Sequence, residues 1–318
     1  MKYLQVPPLY LRNQKKVITM KLLYKSLLLI LFLSLSWSQG LKPYIHGASS
    51  NQSREIIAQQ LKENLNANGF QVIGEYSPAA DDNRLLLVVT SKLLLDAVSE
   101  IGNYSAFAAI LRVAITFEDN IYKISYMNPM YWGNAYYQQH FLKMERRFWE
   151  ITQRLANSMV DIGEPVDIHF GSEKGLSPRD LQKYHYMFGM EYFEDRVDLN
   201  SFTNFTSAVK TIDANLESGV PNLDLIYSLK IPGKNLKLYG IGLSGELGES
   251  HFLPVIDKTS PQHTAFLPYE FLVIDNKVVM LHGRYRIALS FPDLSMMTFG
   301  KIMSTPGDIE TLIRSASE

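Results

Sequence analysis

The side chains with chemical reach gather late in the chain: His251, Asp257, His263, Glu270, His282, Arg284 and Arg286. Imidazoles and carboxylates together can bind zinc or exchange protons with a substrate. None of the close spacings here matches a metal signature, and there is no HExxH segment. The chain has no cysteine, so thiolate ligands and a cysteine nucleophile are absent. No metal and no cofactor is therefore expected. The sharper pattern is His282, Arg284 and Arg286, which alternate with Gly283, Tyr285 and Ile287. On a strand this period of two puts the three basic groups on one face. Aligned cationic donors suit a carboxylate or phosphate, with arginine binding in a bidentate fashion. Glu270 falls on the preceding strand as their partner. Glu270, His282, Arg284 and Arg286 thus form the candidate ligand-binding set for a small anionic ligand. The plainer reading is a solvated sheet face with cross-strand charge pairs.

Other motifs carry less. Gly240-Ile241-Gly242-Leu243-Ser244-Gly245 resembles a phosphate loop in composition, but no GK[ST] follows, and Ser244 lacks the second glycine of a nucleophile elbow. It reads as a strand running into a loop. Tyr126, Tyr131, Trp132, Tyr136 and Tyr137 flank Asn128-Pro129 and read as a buried aromatic seam, with a ligand cleft as the alternative. Asn-x-Ser/Thr occurs at Asn51, Asn103 and Asn204.

The elements that must position these residues follow from periodicity. Ile56, Ile57, Leu61 and Leu65 mark a helix over 53–68, stopped by Gly69. Strands follow at 70–76 and 85–90, then a short helix at 92–100 and a hairpin of 108–117 and 121–126. The stripe Tyr137, Phe141, Met144, Phe148, Ile151, Leu155 and Met159 predicts one long helix, and residues 165–177 read as a linker. Ser177 and Pro178 open a new helix as cap and first residue. A strand is expected at 190–197, then a helix through Phe205, Val209, Ile212 and Leu216. Strands follow at 225–231 and 236–243, a loop at 245–262, and a second hairpin of 266–274 and 278–289. Helical segments close the chain at 294–303 and 308–315. Both halves read helix, strand, strand, connection, hairpin, helix, which suggests an internal duplication of domain size.

The hairpins, with Arg112-Val113-Ala114-Ile115 in the first half and Leu267-Pro268-Tyr269-Glu270-Phe271-Leu272-Val273 in the second, and the entry Gly69-Phe70-Gln71-Val72, resemble domain-of-unknown-function family 302. The second half has Gly219-Val220-Pro221 where that entry would stand. The resemblance implies small α+β domains, one per half. It implies no reaction and no catalytic residue.

The N-terminus supplies an address. Lys21 and Lys25 precede an apolar run at 27–35, and Ser36-Trp37-Ser38 follows with small residues at the cleavage positions. The run is shorter than the ~20 residues a membrane span takes. A signal peptide at 20–38 and a mature start at Gln39 are expected, with Met20 competing with Met1 as the true start. Residues 1–38 carry six basic groups and no acidic one, so the remainder has 25 basic and 32 acidic side chains. That excess of acid disfavours non-specific nucleic-acid binding. Without disulfides the fold rests on its core alone.

The expectation is an α+β protein of two similar domains, each an antiparallel-rich sheet with helices on one face. Residues 1–38 are extension and signal, 39–164 the first domain, 165–176 the linker and 177–318 the second domain. The function expected is that of a non-enzymatic binding or interaction module of the periplasm or cell envelope, with a small anionic ligand or an envelope protein as partner, no nucleic acid, and no membrane span after cleavage. The alternative is an envelope hydrolase, with or without metal assistance, using His251, Asp257, His263 or Glu270.

Overall fold

Leu86, Leu87, Val88 and Val89 are all apolar, with no polar alternation, and a strand of this kind must be covered on both faces. The computed structural model, which describes residues 40–318, shows how. The expected signal lies outside the described residues. Two antiparallel sheets form the frame, and the chain is a mixed α+β protein. The first sheet has the order β2-β3-β4-β5-β1-β6, from β1 (Tyr44–Ser50), β2 (Phe70–Tyr76), β3 (Arg84–Ser91), β4 (Leu111–Glu118), β5 (Ile121–Met127) and β6 (Glu164–Phe170). The second has the order β7-β11-β10-β9-β8, from β7 (Val197–Ser201), β8 (Leu223–Lys230), β9 (Leu236–Leu243), β10 (Tyr269–Ile274) and β11 (Lys277–Met280).

Leaving β6 aside, the strands of both sheets follow one pattern. The first strand lies beside the fifth, then come the fourth, third and second. Each sheet also has a bulge after the third residue of its second strand, at Val72/Gly74 and at Leu225/Tyr227.

The second sheet explains why its strands read as apolar throughout. Leu238, Leu272 and Val279 join the core of the first half, whereas Tyr239, Phe271 and Val278 face a core of their own. One face thus binds the halves together, and residues Leu41–Glu318 form one compact unit. The edge strands β2 and β8 also meet. A Cβ on Gly74 would lie 2.8 Å from the Ile226 carbonyl oxygen, so only glycine permits this approach.

The helices are α1 (Arg54–Ala67), α2 (Lys92–Ile101), α3 (Pro129–Tyr137), α4 (Phe141–Asn157), α5 (Pro178–Gln182), α6 (Phe205–Ser218), α7 (Glu249–Ile256), α8 (Gly283–Ser290), α9 (Met296–Phe299) and α10 (Thr305–Arg314). Helix α1 starts at Ser53, whose side chain accepts from Ile56 N, and buries Ile57, Leu61 and Leu65. Helix α6 starts with a capping box between Asn204 and Ser207. Ser177 caps α5 with Pro178 in its first turn, as the sequence suggests.

Five expectations are corrected. The long helix is two, because Gln138 adopts φ 49° and turns the chain between α3 and α4, while the apolar stripe runs on unbroken across the turn. The expected linker contains β6, which pairs with β1 from Tyr44↔Phe170 to Ser49↔Glu164 and so belongs to the first sheet. Its exposed Glu164, Pro165, Asp167 and His169 gave it the composition of a connector. The strand expected at 190–197 begins only at Val197. The second hairpin strand ends at Met280, and His282 to Ser290 turn into α8. The loop expected at 245–262 holds α7.

Candidate binding cleft between the two halves

The correction at α8 changes the expected site most. His282 is the helix cap, its Nδ1 accepting from Arg284 N at 3.2 Å. On a helix, Arg284 and Arg286 point about 200° apart, so the three basic groups do not share a face. Arg286 is buried, and Arg284 is half-exposed. Each finds a separate partner. Arg284 Nη1 lies 3.2 Å from Glu191 Oε1, and His282 Nε2 lies 3.5 Å from the same oxygen. Arg286 Nη2 donates to the carbonyls of Phe266 (2.7 Å) and Pro268 (3.4 Å) and lies 3.4 Å from Glu270 Oε2. Its guanidinium sits 5.1 Å from the Phe266 ring centroid, 5.5 Å from Trp132 and 5.8 Å from Tyr269, an aromatic cage that compensates a buried cation. Glu270 and Arg286 are thus brought together, while His282 and Arg284 stand apart from them.

Glu270 pairs chiefly across the halves, with Arg112 of β4. Tyr227 Oη donates to Glu270 Oε1 at 3.3 Å, and Arg112 Nη2 donates to the Pro268 carbonyl at 3.3 Å. Burial, and next the nearby Arg286 charge, pull the Arg112 pKa down to about 10, which still leaves it charged at neutral pH.

Other buried carboxylates repeat this pattern of second-half acid on first-half donor. Asp257 accepts from Arg84 Nη1 at 2.7 Å and from His263 N at 2.8 Å. Glu249 accepts from Ala79 N at 2.8 Å and Tyr76 Oη at 3.2 Å, and burial raises it to about 7. In the opposite sense, Glu118 accepts from Gln262 N at 2.8 Å and Ser260 Oγ at 2.7 Å. The halves are fastened at several points, so whatever lies between them is preformed.

Between them lies an open cleft of about 470 Å³. Lys42 and residues 169–173 line it from the first half, and Ile256, residues 258–261, His263, Phe291 and Leu294 line it from the second. The floor is apolar, built from Phe170, Ile256 and Phe291. His263 stacks on Phe291, ring centroids 4.5 Å apart, and lies against Tyr44 at 4.9 Å. Burial lowers its pKa to about 4, so the imidazole is neutral at pH 7. Gly171 leaves that ring open to the cleft. With φ 91° it takes a conformation side chains resist, and a Cβ there would lie 3.4 Å from His263 Nε2 and 2.7 Å from Pro43 Cγ.

The cleft lining carries two lysines, Lys42 and Lys258, and two carboxylates, Glu173 and Asp293. Asp293 is turned into the wall, accepting from Ser172 Oγ and Glu173 N. Lys42 and Lys258 make no ion pair among the described residues. Ser260 touches Lys123 Nζ, but that lysine is no base. Burial works against its charge, yet its bond to Asp119 and the charge of Glu118 hold its pKa above the ordinary value. Of the groups considered for a hydrolase, only His263 lines this cleft. His251 is exposed on α7, and Asp257 and Glu270 are occupied by arginines. No three His, Cys, Asp or Glu side chains among the described residues are grouped to hold a metal.

Sequence reasoning missed Lys42, Lys258 and Gly171 because they come from separate segments and form no local pattern. The one available signal was a glycine directly after an exposed strand.

No protein-family model and no curated protein matches the chain. Among solved structures it is similar to an uncharacterized conserved protein of family DUF302 from Bacillus stearothermophilus, at 15% identity and a TM-score of 0.32, over 36% of this chain and 94% of that one. Among the described residues no helix is long and apolar enough to cross a membrane.

Proposed function

We propose that this protein is an exported, non-enzymatic binding module that takes a small organic anion with an apolar body in the cleft between its halves. The observation that carries the reading is an apolar floor beside two lysines, Lys42 and Lys258, that make no ion pair among the described residues, all in one cavity. An apolar body covers Phe170 and Phe291, the anionic head meets the lysines, and the neutral His263 supplies a directional hydrogen bond. The expected set of Glu270, His282, Arg284 and Arg286 then serves mainly to hold the cleft's walls. Glu270 and Arg286 are spent on each other and on Arg112.

The test is thermal unfolding of the purified protein with benzoate and hexanoate against benzyl alcohol and hexanol. The carboxylates raise Tm, the alcohols do not, and Lys42→Glu with Lys258→Glu abolishes the shift. An equal shift in the double variant overturns the reading. Export is tested separately by N-terminal sequencing of the secreted chain, which begins at Gln39 if the signal is cleaved as proposed.

The same proposal takes the two halves as copies of one unit. The common strand order and the common bulge support it. So does the cap-anchored match of Tyr131, three residues after Asn128, with Tyr285, three after His282.

A further inference from the structure

The common topology gives the cleft a counterpart. Its walls come from the loop after α7 and from the end of α8; the corresponding places in the first half are the loop after α2 and the end of α3. Phe291 follows α8 nine residues after the cap His282, and Tyr137 ends α3 nine residues after the cap Asn128. Ile256 ends α7 as Ile101 ends α2. The third wall comes each time from the opposite half, by Lys42 just before β1 in one case and Phe193 shortly before β7 in the other. All of these first-half counterparts line a second cleft, of about 420 Å³.

Its chemistry has diverged. Tyr136, Tyr137 and Phe193 make an aromatic floor, with Tyr136 stacked on Phe193 at 5.8 Å. The Tyr137 hydroxyl is buried, with no well-formed hydrogen bond among the described residues. The amides of Asn103 and Gln138 stand on the wall, at φ 53° and 49°. Of its charged lining groups, Glu100 is held by Arg147 at 3.2 Å, and Lys143 is exposed.

We infer that this second cleft binds a neutral, polyhydroxylated ligand, a saccharide ring, with its C–H face on the aromatic floor and its hydroxyls on Asn103, Gln138 and His140. Aromatic faces accept the apolar side of such a ring, and amides both donate to and accept from hydroxyls. The inference does not depend on the anion site, because the two clefts share no lining residue.

The test is calorimetric titration with glucose, N-acetylglucosamine, maltose and glucuronate, with NMR to locate the perturbed residues. At least one neutral sugar binds and perturbs Phe193 and Tyr137. Asn103→Gly, which keeps the backbone conformation, combined with His140→Ala weakens it about tenfold, as loss of two polar contacts does. Lys42→Glu leaves it unchanged, which separates this site from the first cleft. Absence of binding by all three neutral sugars, stronger binding of glucuronate, or an unaltered affinity in the double variant overturns the inference.

Discussion

Arg112 and Glu270 hold corresponding positions in the two sheets and pair with each other across the interface. In the first sheet the residue after the bulge, Gly74, faces Val88, and Val88 faces Arg112. In the second, Tyr227 faces Gly240, and Gly240 faces Glu270. The cap-anchored match sets Trp132 against Arg286 in the same way, and these two also meet, as ring and cation. Two topologically matched positions thus each touch their own counterpart across the interface.

This geometry makes the two members of the pair unequal. Glu270→Gln leaves Arg112 and Arg286 both without a counter-charge and costs on the order of 3–5 kcal/mol. Arg112→Met leaves Glu270 still facing Arg286 and costs less, on the order of 1–3 kcal/mol. Urea unfolding of the two single variants ranks them, and equal losses would remove Arg286 from the network.

Arg284 and Arg286 separate in the same assay. Arg286→Met empties the aromatic cage and costs about 3 kcal/mol. Arg284→Ala removes a half-exposed pair with Glu191 and costs at most about 1 kcal/mol. Comparable losses would return both residues to one environment.

Two buried groups titrate in opposite senses over the same range. The folded pKa of Glu249, about 7, lies above its ordinary 4.5, so the folded state holds the extra proton and stability falls as pH rises between the two values. The folded pKa of His263, about 4, lies below its ordinary 6.5, so the unfolded state holds the extra proton and stability rises with pH over that range. Each contributes about 3 kcal/mol. The wild-type profile is therefore nearly flat in these two contributions. Glu249→Gln exposes a rise with pH, and His263→Phe a fall, in Tm measured from pH 4 to 7. Slopes that match wild type in both variants would contradict this.

Two glycines give opposite results. Gly74→Ala pushes a Cβ against the Ile226 carbonyl and destabilises by about 1–3 kcal/mol. Gly307, in the first turn of α10 with nothing near its missing Cβ, gains up to about 1 kcal/mol as alanine. Guanidinium melts compare them directly.

The sequence made the α+β class, the first hairpin, the caps at Ser53 and Ser177, and the buried aromatic seam readable, because each rests on local patterning. It hid α8. Seven of its eight residues, Gly283 and Tyr285 to Ser290, are buried, so no polar face marks a helical period, and the alternation from His282 to Arg286 imitates a strand. Arg286 is inside only because a ring cage and three oxygens from elsewhere receive it, which no local pattern announces. The break at Gln138 is hidden for a related reason: Tyr137 and Phe141 keep the spacing of one helix while the backbone between them turns. The cleft drew its lysines, its glycine and its histidine from separate segments that meet only in the folded chain.

The contact between β2 and β8 at Gly74 has a consequence for the chain's neighbours. Two sheets have four outer strands, each able to pair with a strand of another molecule. The close approach turns two of them toward each other. Of the other two, β7 has its Leu199 carbonyl taken by Arg314 and its Asn200 side chain tied to the Ser317 carbonyl, while β6 carries Glu164, Pro165 and Asp167 and an irregular register. Each outer strand is thus either met by another part of the chain or carries residues that disfavour pairing with a copy.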